Sequence, residues 1–337
     1  MRKSVFVGIL VLVLGLVVAL SAVSAIAGEK KVIKVSIGVN EVHPLTVSMK
    51  KFGEVVASRT GGRYDVQVYP NAQLGDDIRA TEAVRAGQLE MTPPTTSPLT
   101  GLSKELAVFD LPFLFPDAPT AWKVLDGPFG QRMLDGMAAK NLKALGFYEN
   151  GFRQLSNSVR EVKSPADLKG MKIRTMENPI HLAAWRALGA NPTPMPFSEV
   201  FTALQQKTID GQENPIPVIY LQKLYEVQKF TTLTGHIYSP FIVLMNLKLW
   251  DSLPKEDQKI FMEANVIGRD LLRQLNKEAA ETQIAKLRQA GMTVTELTPA
   301  QLKLFQDAVQ PVYKQFEDRI GKQLIEEIRA EIQKASK

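Results

Sequence analysis

The feature that most constrains this chain is a regular alternation of strand-like and helix-like segments that begins near residue 32. The strand-like segments are rich in β-branched residues, and the helix-like segments carry apolar side chains at helical spacing before a glycine ends them. The predicted strands cover residues 32–39, 64–69 and 89–92, and the predicted helices cover residues 45–59 and 76–86. Because strands that alternate with helices pair in parallel beneath a helical cover, the sequence predicts an α/β fold.

The alternation starts again near Gly151, and the chain then becomes mainly helical. Further strands are predicted at residues 172–174 and 241–247, and further helices at residues 118–139, 179–188 and 198–206. Residues 212–215 (QENP) are predicted to form a loop. One helix is predicted from residue 254 to residue 290, and Thr298-Pro299 begins another. A helix as long as residues 254–290 could extend across two lobes, and 337 residues are enough for about two domains.

The first 27 residues have the three parts of a secretory signal peptide. Arg2 and Lys3 form a basic start, residues 5–20 are almost wholly apolar, and residues 25–27 (AIA) form a cleavage site. The alternative is an uncleaved membrane anchor, because the apolar stretch is close to the length of about 18 residues that spans a bilayer. We expect cleavage and export.

Composition argues against several classes of protein. The chain has no cysteine, so it can form neither a disulfide nor a thiolate nucleophile or metal site. Its net charge is +6, but no basic run with interleaved aromatic residues occurs, and nucleic-acid binding is not expected. The three histidines lack metal-ligand spacing, and no nucleophile, phosphate-loop or dinucleotide motif is present. The sequence therefore predicts no enzyme, no metal and no cofactor.

Two arginines at the ends of predicted strands are the strongest candidates for a binding site. Arg153 follows one strand, and Arg174 ends the short strand at residues 172–174. A guanidinium group offers paired donors that match a carboxylate, and ligands of open α/β sheets bind outside the carboxyl ends of the strands. The alternative is a surface arginine in an ion pair, and position alone does not decide between the two.

Other polar positions allow both a functional and a structural interpretation. His43 lies in the loop after the first strand and could face a ligand, although an ordinary turn histidine has the same position. Asp76 and Asp77 lie at the start of a predicted helix and could form a metal pair. Capping of that helix is the favoured interpretation, with one of the two left to face a cleft. His181 lies on a predicted helix, where we expect it to be exposed or internally hydrogen-bonded.

Around Arg153 the sequence resembles a known family, the DctP-type solute-binding subunits of tripartite ATP-independent periplasmic (TRAP) transporters. The similar segments follow in order along nearly the whole chain beyond the predicted signal peptide. They are residues 69–76 (YPNAQLGD), 111–115 (LPFLF), 151–157 (GFRQLSN), 168–174 (LKGMKIR), 189–200 (GANPTPMPFSEV) and 210–215 (DGQENP). Several of these motifs are long, so chance is a poor explanation.

The resemblance implies a periplasmic-binding-protein fold, with two α/β lobes, a hinge between them and a long helix that spans both. Each lobe would contain two separate stretches of chain. We expect residues 28–150 and 239–278 in lobe I, and residues 151–238 and 279–337 in lobe II.

The resemblance also implies roles for four residues of lobe II. Arg174 matches the arginine that pairs with the ligand carboxylate, and Arg153 matches one that often adds a second contact. Asn214 would line the site, and Phe197 would pack against the ligand. Arg174 is therefore the expected anchor.

In lobe I, Asn40 and Asp77 match positions that can face the cleft in relatives that bind sialic acid. Thr95 stands where those relatives carry glutamate, which argues against sialic acid and favours a smaller or less hydroxylated acid. Arg153 and His43 could together hold a second carboxylate. A C4-dicarboxylate is therefore the first expectation for the ligand, with sugar acids and monocarboxylates as alternatives.

The resemblance implies a monomeric periplasmic receptor that captures a small organic acid between its lobes and closes around it. The receptor would deliver the acid to the membrane subunits of a TRAP transporter, which are separate chains. An exported enzyme is one alternative, but no catalytic motif supports it. A module that presents its ligand to a sensor is another. Its fold and site would look the same, so the sequence does not separate it from a transport protein.

Overall fold

The computed structural model describes residues 30–337, with the side chain of residue 281 excepted, and contains two β-sheets covered by helices. The predicted signal peptide lies outside the described residues. The strands are β1 Lys31–Ser36, β2 Tyr64–Tyr69, β3 Met91–Thr92, β4 Leu142–Phe152, β5 Gln154–Asn157, β6 Lys172–Thr175, β7 Asn191–Pro194, β8 Gly211–Asn214, β9 Phe230–Leu233, β10 Tyr238–Asn246 and β11 Thr293–Glu296. The α-helices are α1 Pro44–Arg59, α2 Asp77–Ala86, α3 Ala118–Asp126, α4 Pro128–Asp135, α5 Pro179–Ala187, α6 Phe197–Gln205, α7 Ile216–Leu221, α8 Leu247–Asp251, α9 Lys255–Gln289, α10 Pro299–Ile320 and α11 Lys322–Ala335.

The first sheet has the strand order β2-β1-β3-β10-β4. β1 pairs in parallel with β2 and β3, whereas β10 runs antiparallel to β3 and β4. Ile33 and Val35 of β1 are fully buried, and they belong to the same apolar cluster as Met49 and Phe52 of α1. Because alternate strand residues share a face, this pattern buries one face of β1 beneath the helix. The cluster forms the apolar core on this side of the first sheet.

The second sheet has the order β11-β9-β5-β8-β6-β7 and forms lobe II. β8 runs antiparallel to β5 and parallel to β6, between these two strands. The sequence-based prediction of a loop at residues 212–215 is therefore wrong for residues 212–214. Gln212, Glu213 and Asn214 have no apolar pattern, but they are buried because the backbone of β8 is paired on both sides.

The lobes are joined through β4, β10 and α9. β4 leads directly into β5 of the second sheet, and Gly151 at this crossing has a φ of 113°, a conformation that favours glycine. The register between β4 and β10 shifts between Ser239 and Pro240. α9 contacts α1 and β4 in lobe I, and α7 and β11 in lobe II. The predicted two-lobed α/β fold with a long helix across both lobes is confirmed, whereas the residue boundaries of the lobes stay predictions.

Most helices begin and end where local sequence signals predicted. Gly87 ends α2 in a left-handed conformation with a φ of 74°, and Thr298 forms a capping box at the start of α10. The predicted helix at residues 118–139 is instead two α-helices and a short 3₁₀ segment, because Gly127-Pro128 interrupts it. Among the described residues, no helix is both long and apolar enough to cross a membrane.

Candidate functional site

A cavity lies between the two lobes, and residues from both sheets line it. The empty space among its lining residues is about 660 Å³, with the open solvent at its mouth included. Six of the eight predicted site residues line the cavity: Arg153, Arg174, Asn214, Phe197, Asp77 and Thr95. The structure thus brings together residues that are far apart in the sequence.

Arg174 is a buried cation without a carboxylate partner. It lies on β6, is 2% exposed, and its Nε and Nη2 atoms donate to the Met195 carbonyl at 3.0 and 2.6 Å. The guanidinium carbon is 5.9 Å from the centre of the Phe197 ring. Within the described residues, no acidic side chain forms an ion pair with Arg174. Burial, together with the nearby charge of Arg153, lowers its pKa to about 10, so it stays charged at neutral pH.

Arg153 is also buried, but it has an internal anion. Its Nε contacts the carboxylate of Glu213, and its Nη2 donates to Oε1 of the same carboxylate at 2.9 Å. The Glu213 carbonyl accepts a further hydrogen bond from Nη2. Nη1 is buried and, among the described residues, has no hydrogen-bond acceptor. Arg153 therefore keeps one donor group uncommitted at the cavity, although its charge is already compensated.

Two histidines complete the surroundings of Glu213. His236 Nε2 lies 3.0 Å from Glu213 Oε2, and His181 Nδ1 lies 3.9 Å from Oε1. His181 Nε2 also lies 2.9 Å from Asp110 Oδ1. Burial alone would raise the pKa of Glu213, but Arg153 and the two histidines hold it well below its ordinary value. His181 is fully buried and hydrogen-bonded, in keeping with one of its two sequence-based interpretations.

Asn214 and Phe197 occupy the lobe II wall of the cavity. Asn214 ends β8 and is 4% exposed, and its Nδ2 donates to Gln212 Oε1 at 2.5 Å. Gln212 in turn donates to Ser156 Oγ at 2.8 Å, which fixes the amide of Asn214. Phe197 begins α6 and presents its ring beside Arg174. The wall therefore combines fixed polar groups with an aromatic surface.

The two adjacent aspartates at the start of α2 have different roles. Asp76 caps the helix by accepting from Arg79 N at 3.0 Å. Asp77 lines the cavity, and its Oδ2 accepts from Thr95 N at 3.1 Å and Thr95 Oγ1 at 2.7 Å. Burial raises the pKa of Asp77 above its ordinary value. Thr95 Oγ1 also lies 3.5 Å from Met176 Sδ of lobe II, so this group meets the opposite lobe.

Asn40 and His43 lie outside the cavity lining. The ring of His43 turns inward and is 1% exposed, and its Nδ1 accepts from Leu45 N at 3.2 Å at the start of α1. Burial lowers the pKa of His43 to about 3, so the ring is neutral. This geometry is that of a structural turn histidine. Asn40 donates from Nδ2 to the Leu221 carbonyl at 2.6 Å, which links lobe I to lobe II.

Sequence reasoning missed four polar or polarisable groups in the lining: Asn150, Met176, Glu177 and Ser198. Asn150 is on β4, is 4% exposed, and its Oδ1 is buried without a hydrogen-bond donor among the described residues. Met176 and Glu177 follow β6 directly, only two and three residues after Arg174. Their position beyond the carboxyl end of a strand was the signal that could have identified them.

Comparisons with known proteins agree with this architecture. The sequence profile of DctP, described as bacterial extracellular solute-binding protein, family 7, matches residues 35–319. A solute-binding protein of Verminephrobacter eiseniae is 46% identical over 307 residues, which are 91% of each chain. The C4-dicarboxylate-binding periplasmic protein DctP of Rhodobacter capsulatus is 35% identical over 304 residues, with 90% of this chain and 91% of the relative covered. The crystal structure of a sugar-acid-binding protein from Advenella mimigardefordensis in complex with galactonate superimposes with a TM-score of 0.89. It is 35% identical, and the match covers 91% of this chain and 99% of that one.

Proposed function

Because the chain belongs to family 7 of the bacterial extracellular solute-binding proteins, the DctP-type receptors of TRAP transporters, we propose that it captures a small organic acid by pairing the acid's carboxylate with Arg174. The named relatives bind C4-dicarboxylates in one case and a sugar acid in another, and both compounds carry a carboxylate. Proteins of this family act as ligand receptors, in keeping with the sequence-based expectation that the chain is not an enzyme.

The observation that carries this proposal is the contrast between the two buried arginines. Arg153 has the carboxylate of Glu213, whereas Arg174, among the described residues, donates hydrogen bonds only to the neutral carbonyl of Met195. A buried charge without a counter-ion is unfavourable, so an anion that enters the cavity would be strongly attracted to Arg174. The guanidinium plane suits a carboxylate, and the ring of Phe197 beside it would cover the ligand's carbon atoms.

Contacts across the cleft support a mechanism by closure. Thr95 meets Met176, and Asn40 donates to the Leu221 carbonyl, so both pairs join lobe I to lobe II. A ligand that contacts both walls favours the closed arrangement, because only that arrangement provides all of its contacts. The separate membrane subunits of a TRAP transporter would recognise the closed form.

We also propose export to the periplasm with cleavage after residue 27, and the lobe boundaries given above.

The test is a comparison of two arginine variants of lobe II by calorimetry. Wild-type protein is first screened by thermal shift against succinate, D-erythronate, D-galactonate and other carboxylates, since a ligand stabilises the native state. We expect Arg174→Ala to weaken binding of every hit at least about 30-fold, which corresponds to about 2 kcal/mol. Arg186→Ala removes an exposed arginine from α5 and should bind like wild type. Wild-type affinity in Arg174→Ala would refute the role of this residue.

A further inference from the structure

The charged groups of the cavity are divided unequally between its walls. Arg153 lies where β4 passes into β5 between the lobes, and Arg174 lies on β6 of lobe II. Among the described residues, no lysine, arginine or histidine of lobe I lines the cavity, whereas Asp77 of lobe I does. His43, which the sequence suggested as a cationic contact from lobe I, is neutral and lies outside the lining. The lobe I wall can therefore accept hydrogen bonds, but it offers no positive charge to an anion.

Two carboxylates of the lining keep oxygens that have no hydrogen-bond donor among the described residues. Asp77 uses Oδ2 for both contacts with Thr95, and its Oδ1 lies on the side of Gly38, where a Cβ added at the glycine would be 3.5 Å away. Glu177, three residues after Arg174, makes no ion pair or hydrogen bond within the described residues. Asp76 differs, because its carboxylate is engaged by Arg79.

We infer that the ligand is a hydroxylated monocarboxylate, whose single carboxylate binds Arg174 and whose hydroxyl groups donate hydrogen bonds to Asp77 and Glu177. This inference rests on the proposed function and narrows it. Hydroxyl groups are suitable partners for these acids, since an ionised carboxylate accepts hydrogen bonds and donates none. Leu45, Phe197 and Phe241 of the lining supply apolar surface for the carbon chain between the polar ends.

A dicarboxylate fits this arrangement less well. With its first carboxylate on Arg174, its second would approach Asp77 or Glu177, and like charges repel each other. Arg153 does not remove this difficulty, because Glu213 already compensates its charge. Asp77 and Glu177 therefore act as specificity determinants that admit a terminal hydroxyl group and exclude a terminal carboxylate.

The experiment uses matched ligand pairs in which a terminal hydroxymethyl group is replaced by a carboxylate. The pairs are D-erythronate with meso-tartrate and D-galactonate with galactarate, titrated calorimetrically into wild-type protein at pH 7.5. We expect the monocarboxylate of at least one pair to bind, and its dicarboxylate partner to bind at least about tenfold more weakly. Equal or tighter binding of the dicarboxylate would overturn the inference. If Arg174→Ala still abolished binding of the dicarboxylate, the proposed function would stand without this inference.

Variants of the two acids test the assignment of residues. Asp77→Asn and Glu177→Gln should each weaken binding of the monocarboxylate and reduce the discrimination within the pair by about threefold or more, because a repelling charge is lost. Glu82→Gln makes the same change of charge on the exposed side of α2 and should leave the ratio unchanged. Melting temperatures show whether each variant is folded. Unaltered discrimination in both folded variants would contradict the assignment, and failure of every carboxylate to bind wild type would refute the proposed function itself.

Discussion

Two buried glutamates near the strands that join the lobes, Glu213 and Glu149, have opposite electrostatic environments. Glu213 is 0% exposed and contacts Arg153 and two histidines, and its pKa lies well below the ordinary value. Glu149 is 6% exposed and lies on β4 beside Asn150. Asn150 lines the cavity, whereas Glu149 is not among the lining residues. Burial raises the pKa of Glu149 to about 7, and the nearby Arg273 only partly opposes the rise.

The difference shows that burial does not by itself determine the charge of an acid in this protein. Arg153 is committed to Glu213, whereas Arg273 forms an ion pair with Asp126 at 2.6 and 2.9 Å and is shared. The ionised Glu213 keeps Arg153 in place beside the ligand cavity. Glu149, on β4, can lose or gain its proton near neutral pH.

Removal of the cation from Glu213 should have the largest effect on stability. We expect Arg153→Met to lower the free energy of unfolding by about 3–5 kcal/mol at pH 8, because a buried carboxylate is left without its partner. Urea unfolding followed by circular dichroism measures this change. The double variant Arg153→Met/Glu213→Gln removes both charges and should recover a large part of the loss. A double variant less stable than Arg153→Met would show that the pair is not coupled as the geometry indicates.

Neutralisation of Glu149 should stabilise the protein, but only at higher pH. The pKa of Glu149 in the folded protein, about 7, is above its ordinary value of 4.5, so the folded state favours the protonated form. The stability that this preference contributes is complete below pH 4.5 and is lost as pH rises through 7. Glu149→Gln should therefore resemble wild type at pH 4.5 and exceed it at pH 8 by on the order of 3 kcal/mol.

Urea unfolding of Glu149→Gln at both pH values checks this prediction. Glu54→Gln is the matched control, because it makes the same substitution on the exposed side of α1. A gain of Glu149→Gln over wild type that is the same at pH 4.5 and pH 8 would mean that Glu149 does not titrate in this range.

Features that depend on neighbouring residues in the chain could be predicted from the sequence, and features that depend on distant partners could not. The helix stop at Gly87 and the start at Thr298 follow from local backbone preferences. The partner of Arg153 is 60 residues away, on a strand whose polar sequence predicted a loop. The family resemblance supplied Arg174, Asp77 and Asn214, but no local pattern shows which oxygens and nitrogens remain uncommitted once the lobes assemble.

The inward turn of His43 illustrates the same limit. Its position after β1 is compatible with a ligand contact and with a helix cap, because both need a polar side chain at the carboxyl end of a strand. Only the packed structure shows that its Nδ1 accepts from Leu45 N and that burial keeps the ring neutral. For His43, the expectation of a cationic contact with the ligand therefore rested on position alone.

The smallest effect should come from Asp126, which shares Arg273 with Glu149. Asp126→Asn removes a competing anion, so Arg273 should favour the ionised form of Glu149 more strongly, and the pKa of Glu149 should fall by up to about one unit, or ~1.4 kcal/mol. Carboxyl ¹³C NMR of glutamate-labelled protein follows this titration directly. Asp307→Asn breaks an exposed ion pair on α10, with Lys303 at 2.7 Å, and should leave Glu149 unchanged. If the pKa of Glu149 stayed near 7 in Asp126→Asn, competition for Arg273 would not explain why the two buried glutamates differ. Desolvation of Glu149 alone would then have to account for its raised pKa.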